Sequence, residues 1–364
     1  MRRRFLIGAG AFAATGAAAV YLGLRQMGSM DEYTSAVAAT RAALSNTPQI
    51  PEIIRYATLA ASGHNTQPWR FRMSEKRIEV LPDFSRRTPV VDPDDHHLFT
   101  SLGCTAENLR LAACACGLPG ELRFNDTNDG SVAFTFGAAQ LDDSSLFAAI
   151  PKRQSTRADY DGRPVSVADL KTLAASAAVS GVDLVLITDR PQINRVRELV
   201  VSGNSAQLAD AAFVRELRNW LRFSPSEAID KGDGLFSAST GNPTLPAWLG
   251  PRVFDWAFNA DMENEKYARQ LHSSAGIAVF VSERDDKDHW VRAGRACQRF
   301  ALQATALGLK HAFINQPVEV ARLRPDLASL VGMAGRRPDI EMRFGYGPTL
   351  PYSARRPVNS TLTS

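Results

Sequence analysis

Gly103 to Leu118 reads GCTAENLRLAACACGL, and Gly294 to Leu309 reads GRACQRFALQATALGL. The two strings share Gly, Leu, Ala, Ala, Gly and Leu at equal spacing, and both have the composition of a buried, Ala-rich helix. A shorter match precedes each. Thr58-Leu59-Ala60-Ala61-Ser62 recurs as Thr172-Leu173-Ala174-Ala175-Ser176, both times near the end of an amphipathic helical pattern. A strand-like segment follows each second helix, Val132 to Gly137 in one case and Ile340 to Gly345 in the other. Self-similarity repeated in the same order implies two related halves in one chain.

The first match is offset by 114 residues and the second by 191, so the second half carries about 77 extra residues between its two helices. This insertion is expected at about 204–265, within Ser202 to Glu265 and its flanks. It has a helical part, Ala206 to Arg222. A turn-rich part follows, containing Gly232-Asp233-Gly234, Gly241-Asn242-Pro243 and Pro246-Ala247-Trp248. A loop of this length inside a compact domain is usually a lid, a binding loop or disordered, and it is read here as a lid. Strands are expected at Arg70 to Met73, Arg77 to Leu81, Asp183 to Thr188, Gly276 to Ser282, Ala312 to Asn315 and Ile340 to Gly345. With the helices around them they give an α+β layout in which each half buries a sheet under helices. The expected boundaries are 1–29 for an N-terminal segment, 30–150 for the first half and 151–364 for the second. No Gly-x-Gly-x-x-Gly follows a strand, so a dinucleotide fold has no support.

The chain has 364 residues, 45% hydrophobic and 22% charged, which is ordinary globular composition. Its formal charge of +4 equals the contribution of Arg2, Arg3, Arg4 and Arg25, leaving a neutral body with no electrostatic case for nucleic acid. Arg2-Arg3-Arg4-Phe5-Leu6 followed by an apolar run to Leu24 resembles a twin-arginine export signal. An ordinary secretory signal or a membrane anchor shares the apolar run, which is about long enough to span a bilayer. Its weak hydrophobicity favours the twin-arginine reading, hence an expected extracytoplasmic, periplasmic location, with a membrane anchor if the signal stays uncleaved. Substrates of that pathway are exported folded, so a tightly held cofactor is expected. Cys104, Cys114, Cys116 and Cys297 lie in the Ala-rich helices and are read as core residues, not a bridge or a metal clip. Asp92-Pro93-Asp94-Asp95-His96-His97 contains ligand types, but adjacent histidines on a helix point apart and the acids suit a helix start. No metal site is expected.

Ser62-Gly63-His64-Asn65-Thr66-Gln67-Pro68-Trp69, after a helix and before a strand, resembles the Ser-x-x-Asn-x-Gln-Pro-Trp segment of the FMN-dependent nitroreductase superfamily. Lys152-Arg153-Gln154-Ser155-Thr156-Arg157 is similar to the basic Arg-x-Ser-x-Arg/Lys segment that opens a nitroreductase domain. Gly345-Tyr346-Gly347-Pro348 with Arg355-Arg356-Pro357 resembles the family's final strand and basic tail. The resemblance covers roughly Pro51 to Val358. A usual member is a homodimer of roughly 200-residue subunits with FMN at the interface, and this chain has about the length of two. The resemblance therefore implies an intrachain pseudo-dimer that is monomeric overall.

The landmarks are not duplicated. Where a second Asn-x-Gln-Pro-Trp would stand, the chain runs Ala177 to Asp183 (AAVSGVD). The first half has Asn46 to Pro51 in place of the basic segment, and Asp142-Asp143 in place of a basic tail. One complete FMN site can be assembled, across the halves. Arg153, Ser155, Arg157 and one or both of Arg355 and Arg356 suit the phosphate and ribityl chain. Ser62, Gly63, Asn65 and Gln67 suit the ring edge, and Gln154 its pyrimidine side. Pro317-Val318-Glu319 matches a family segment that brings a backbone N–H to flavin N5. His64 lies in the same loop, where approach to the ring and a capping or surface role are both open.

The resemblance implies an oxidoreductase in which FMN N5 carries hydride to a nitroaromatic, quinone or similar small acceptor, with no catalytic side chain assigned. The usual donor is NADH or NADPH. Export, with the Tat export machinery as the expected partner, would favour a membrane quinol or redox partner as donor. The alternative is a non-catalytic flavin-binding or flavin-sequestering protein whose lid closes the substrate space.

Overall fold

The computed structural model describes residue 23 and residues 26–137 and 144–363. The twin-arginine segment and Asp142-Asp143 lie outside the described residues. The first half comprises α1 (Met30–Thr40), α2 (Ile50–Ala57), β1 (Trp69–Met73), β2 (Arg77–Pro82), α3 (His96–Ala115), β3 (Gly120–Asn125), β4 (Ser131–Phe136) and α4 (Ser144–Ala149). The second begins with α5 (Val167–Ser176), β5 (Val182–Ile187), α6 (Arg190–Ala209), α7 (Ala211–Asn219), β6 (Leu221–Arg222), α8 (Pro225–Lys231), β7 (Leu235–Phe236), α9 (Gly250–Ala257) and α10 (Ala260–His272). It continues with β8 (Gly276–Ser282), α11 (Lys287–Ala306), β9 (Lys310–Phe313), α12 (Gln316–Glu319), α13 (Arg324–Leu330), β10 (Pro338–Gly345) and β11 (Leu362–Thr363).

The fold is α+β, with two main sheets flanked by helices. One sheet has the order β11-β1-β2-β4-β3 and the other β5-β8-β10-β9. Without β11 the two orders correspond strand for strand, and every one of these pairings is antiparallel. The repeat seen in sequence is thus a repeat of topology. β11 is different: it runs parallel to β1, so the second half's tail completes the first half's sheet.

The repeated strings form α3 and α11, which cross between the sheets. α3 is buried along nearly its whole length, and small residues allow that closeness. A Cβ on Gly103 would stand 2.0 Å from the Val291 carbonyl oxygen, and one on Gly294 2.0 Å from that of Thr100. Neither position accepts a side chain without the helices parting. Cys104, Cys114 and Cys297 are buried free thiols, with Cys116 half-buried at the end of α3.

Three expectations need adjustment. The strand placed at Ala312 to Asn315 is β9, which ends at Phe313. Asn315 instead starts α12, with Pro317 in its first turn and its side-chain oxygen accepting from the Glu341 N–H at 2.8 Å. The insertion is wider than 204–265, because it fills the β5–β8 connection and α6 already starts at Arg190. Its turn-rich part also holds α8, capped by Ser224, and α10, capped by Asn259. Their polar sequences hide the helical period, and only the caps mark them.

Candidate functional site

The Ser62–Trp69 segment leaves α2 in a tight loop. His64, Asn65 and Gln67 have φ of 47°, 54° and 54°, a left-handed region uncommon for residues with a side chain. Such conformations persist where the surroundings over-determine them. Here the Asn65 amide donates to the carbonyls of Gly234 (3.0 Å) and Ala354 (3.2 Å). The Gln67 amide donates to Gly232 (2.8 Å) and accepts from the Arg356 N–H (3.0 Å). Both are buried. The Gly234 N–H returns to the Asn65 carbonyl at 3.2 Å, and Arg86 pairs with Asp233. Insertion and tail therefore grip the loop through the two residues read from sequence as ring contacts.

The second landmark is extended, not helical. Ser155 makes an isolated bridge with His311, and the Thr156 N–H donates to the His311 carbonyl at 2.8 Å. Arg153 is buried and donates to the Leu59 carbonyl at 2.9 Å. Arg355 reaches the same helix end, donating to the carbonyls of Thr58 (2.8 Å), Leu59 (3.2 Å) and Ala60 (3.1 Å) and to the Asn65 side chain (3.0 Å). The last carbonyls of a helix lack intrahelical donors, so cations settle there. Arg356 donates to the Gln67 carbonyl at 3.1 Å. Gln154 is taken up by the tail, exchanging two hydrogen bonds with the Leu350 backbone at 2.8 and 2.9 Å.

Between the halves lies a cavity with about 480 Å³ of space free of protein atoms, part of it open to solvent. Ser62, Gly63 and His64 form one wall. Thr100, Ser101 and Cys104 project from α3, and Arg157, Phe313 and Asn315 come from the second half. None of the lining residues belongs to the insertion, which was expected to be a lid. Its described contacts brace the loop instead.

The electrostatics of this region are one-sided. Arg41, Arg153, Arg157 and Arg355 have no carboxylate partner among the described residues. The Nε atoms of Arg41 and Arg153 are buried without a hydrogen-bond partner. Arg41, at the end of α1, donates to the Pro151 carbonyl at 2.8 Å and lies over the Tyr352 ring. Burial, then the nearby Arg153, lowers its pKa to about 9. Burial lowers those of Arg153, Arg157 and Arg355 as well. Uncompensated buried cations are costly, and an anion among them would relieve that cost. Arg41 belongs to no motif, and nothing in the sequence marks it. Burial and the Arg157 guanidinium bring His64 down to about 4, leaving a neutral imidazole whose Nδ1 has no partner.

Pro317 and Val318 are buried in the second-half core, off the cavity wall, and Glu319 accepts from Gln207 at 2.6 Å. The N–H groups of Val318 and Glu319 both donate to the Asn315 carbonyl at 2.8 Å. Of that segment's surroundings, Asn315 is the residue that reaches the cavity. In the Asp92–His97 stretch, the Asp92 carboxylate accepts from the N–H groups of His97 and Leu98, both at 2.9 Å, capping α3. His96 is paired with buried Asp339 at 3.0 Å. Among the described residues no group of side chains is arranged to hold a metal ion.

No family model matches the chain. A Mycobacterium tuberculosis protein named as a candidate NAD(P)H nitroreductase is 29% identical over 321 residues, 85% of this chain and 90% of the relative. A second candidate NAD(P)H nitroreductase of that organism is 24% identical over 327 residues, 86% and 95% of the two chains. Among solved structures, a nitroreductase with bound FMN from Desulfitobacterium hafniense aligns with 61% of this chain and 99% of its own, at 14% identity and a TM-score of 0.38. An FMN-dependent nitroreductase of Mycobacterium smegmatis in complex with NADPH covers 56% and 87%, at 13% identity and a TM-score of 0.37. Similarity to these two M. tuberculosis relatives extends along most of both chains.

Proposed function

We propose that this chain is an FMN-dependent oxidoreductase of the nitroreductase type, a pseudo-dimer binding one flavin where its halves meet. The observation that carries this reading is the cavity itself, walled by Ser62–His64 from one half and Arg157 from the other, amid arginines lacking counter-ions. Arg157 and Ser155 would hold the phosphate and ribityl chain, within the positive field of Arg153, Arg41 and Arg355. Ser62, Gly63, His64 and Asn315 would meet the ring. When bound, the flavin supplies the redox chemistry, exchanging hydride at N5. The protein binds, orients and shields it, and neutral His64 adds no charge near the ring. The donor is NADH or NADPH, which the relatives' names support. The alternative donor, suited to an extracytoplasmic compartment, is a membrane quinol or redox partner. The acceptor is a nitroaromatic, a quinone or a similar small molecule. The arginine-led apolar N-terminus supports export through the twin-arginine machinery to the periplasm.

Arg157→Ala is the cleanest test, because this guanidinium makes no hydrogen bond to the described protein whereas Arg153 also secures the end of α2. Losing a charge-assisted contact of about 1.5–3 kcal/mol should weaken FMN binding roughly 10- to 100-fold with the fold unchanged. A variant that purifies fully yellow would overturn the assignment. The grip of the insertion on the flavin loop favours a second reading, a flavin-sequestering protein without turnover. Bleaching of the flavin by NADH, NADPH or a reduced quinone, followed by reoxidation with an acceptor, would exclude it.

A further inference from the structure

The insertion carries a surface that the cavity does not use. Trp248, Trp256 and Met262 are 50%, 86% and 59% exposed, all at or beside α9 and the start of α10. Phe254 and Phe258 stack at 4.3 Å on the same helix and extend the apolar character toward the body. Arg252, also exposed, donates to the Trp248 carbonyl at 2.5 Å and places a cation at the rim. Exposed indoles on one insertion are costly in water and mark a contact surface.

The N-terminal end of the described chain is fastened to the same insertion. The Ser226 N–H donates to the Met27 carbonyl at 3.0 Å, and its hydroxyl donates to that of Gln26 at 2.7 Å. A Cβ on Gly23 would stand 2.6 Å from Trp248 Nε1, so the Gly23 backbone lies against that indole. The residues before it in sequence are the apolar run behind Arg2, Arg3 and Arg4. The described chain therefore begins beside the exposed aromatic surface.

We propose that this surface docks on a lipid bilayer into which the retained N-terminal segment inserts, with Trp248 and Trp256 at headgroup level and Arg252 facing lipid phosphates. Indoles favour that depth because the ring is apolar while its N–H needs a polar partner. An apolar run of about bilayer length beside the indoles favours lipid over a second copy of the chain. The inference is independent of what occupies the cavity.

The test uses the full chain in vesicles of phosphatidylethanolamine and phosphatidylglycerol. Trp256 is replaced by the photocrosslinker p-benzoylphenylalanine, and in a control the exposed Met73 on β1 is replaced in the same way. The expected result is a phospholipid adduct on the peptide containing position 256 and none at position 73. Adducts to residues 1–22, a crosslinked dimer, no adduct, or equal lipid labelling at both positions would each overturn the proposal. Brominated lipids give a second readout: tryptophan quenching in the unmodified chain that is reduced in Trp256→Ser and largely lost when Trp248→Ser is added. Undiminished quenching in the double variant would count equally against it.

Discussion

Gln67 has no exposed surface, and both ends of its amide are engaged, one by Gly232 and the other by Arg356. It also holds a left-handed backbone angle that disfavours most side chains. Gln67→Ala strands a buried carbonyl and a buried N–H, and should lower stability by about 1–3 kcal/mol in urea titration of the flavin-free protein. Arg157→Ala should leave that titration unchanged, which separates a residue that shapes the site from one that faces its ligand. The motif made both residues legible, but not this difference. A sequence pattern records that an amide is needed at position 67. Whether its polar atoms face a ligand or clamp distant backbone depends on where Gly232 and Arg356 lie. Arg41 was illegible because only tertiary packing brings it to Arg153.

At the level of elements, the crossing of α3 and α11 sets the cavity floor. Glu107 on α3 is fully buried, bonded to Arg295 at 2.9 Å and Arg299 at 3.0 Å on α11. Burial alone would raise its pKa, but Arg295, Arg110 and Arg299 hold it well below the usual carboxylate range. Gly294→Ala pushes a methyl group into the Thr100 carbonyl and should lower stability by about 1–3 kcal/mol. Because Thr100, Ser101 and Cys104 line the cavity, flavin affinity should fall with it; a thermal melt and a flavin titration together check both. The two helices were readable as a matched pair because each half needs a glycine at the same step of its helix. β11 was not, since two residues pairing across the whole chain leave no local period. The helices of the insertion were obscured by polar faces.

In the whole molecule, equal strand order does not make equal sites. After α5 the second half closes directly through a Val179–Val182 bridge, with no loop like Ser62–Trp69. The arginines meet on one side. One flavin per chain is therefore expected on release by denaturation and absorbance, and two per chain would contradict the asymmetry. The asymmetry also affects how the protein is made. Arg355 reaches Asn65 across 290 residues of chain. At ~5–20 residues per second, the ribosome needs roughly 15–60 s after finishing the loop before the tail that secures it is synthesised. During that interval the first sheet keeps an open edge on β1 and the loop lacks its clamp. Nascent protein should therefore remain protease-sensitive and bind no flavin until synthesis is nearly over, which makes the cofactor a late arrival.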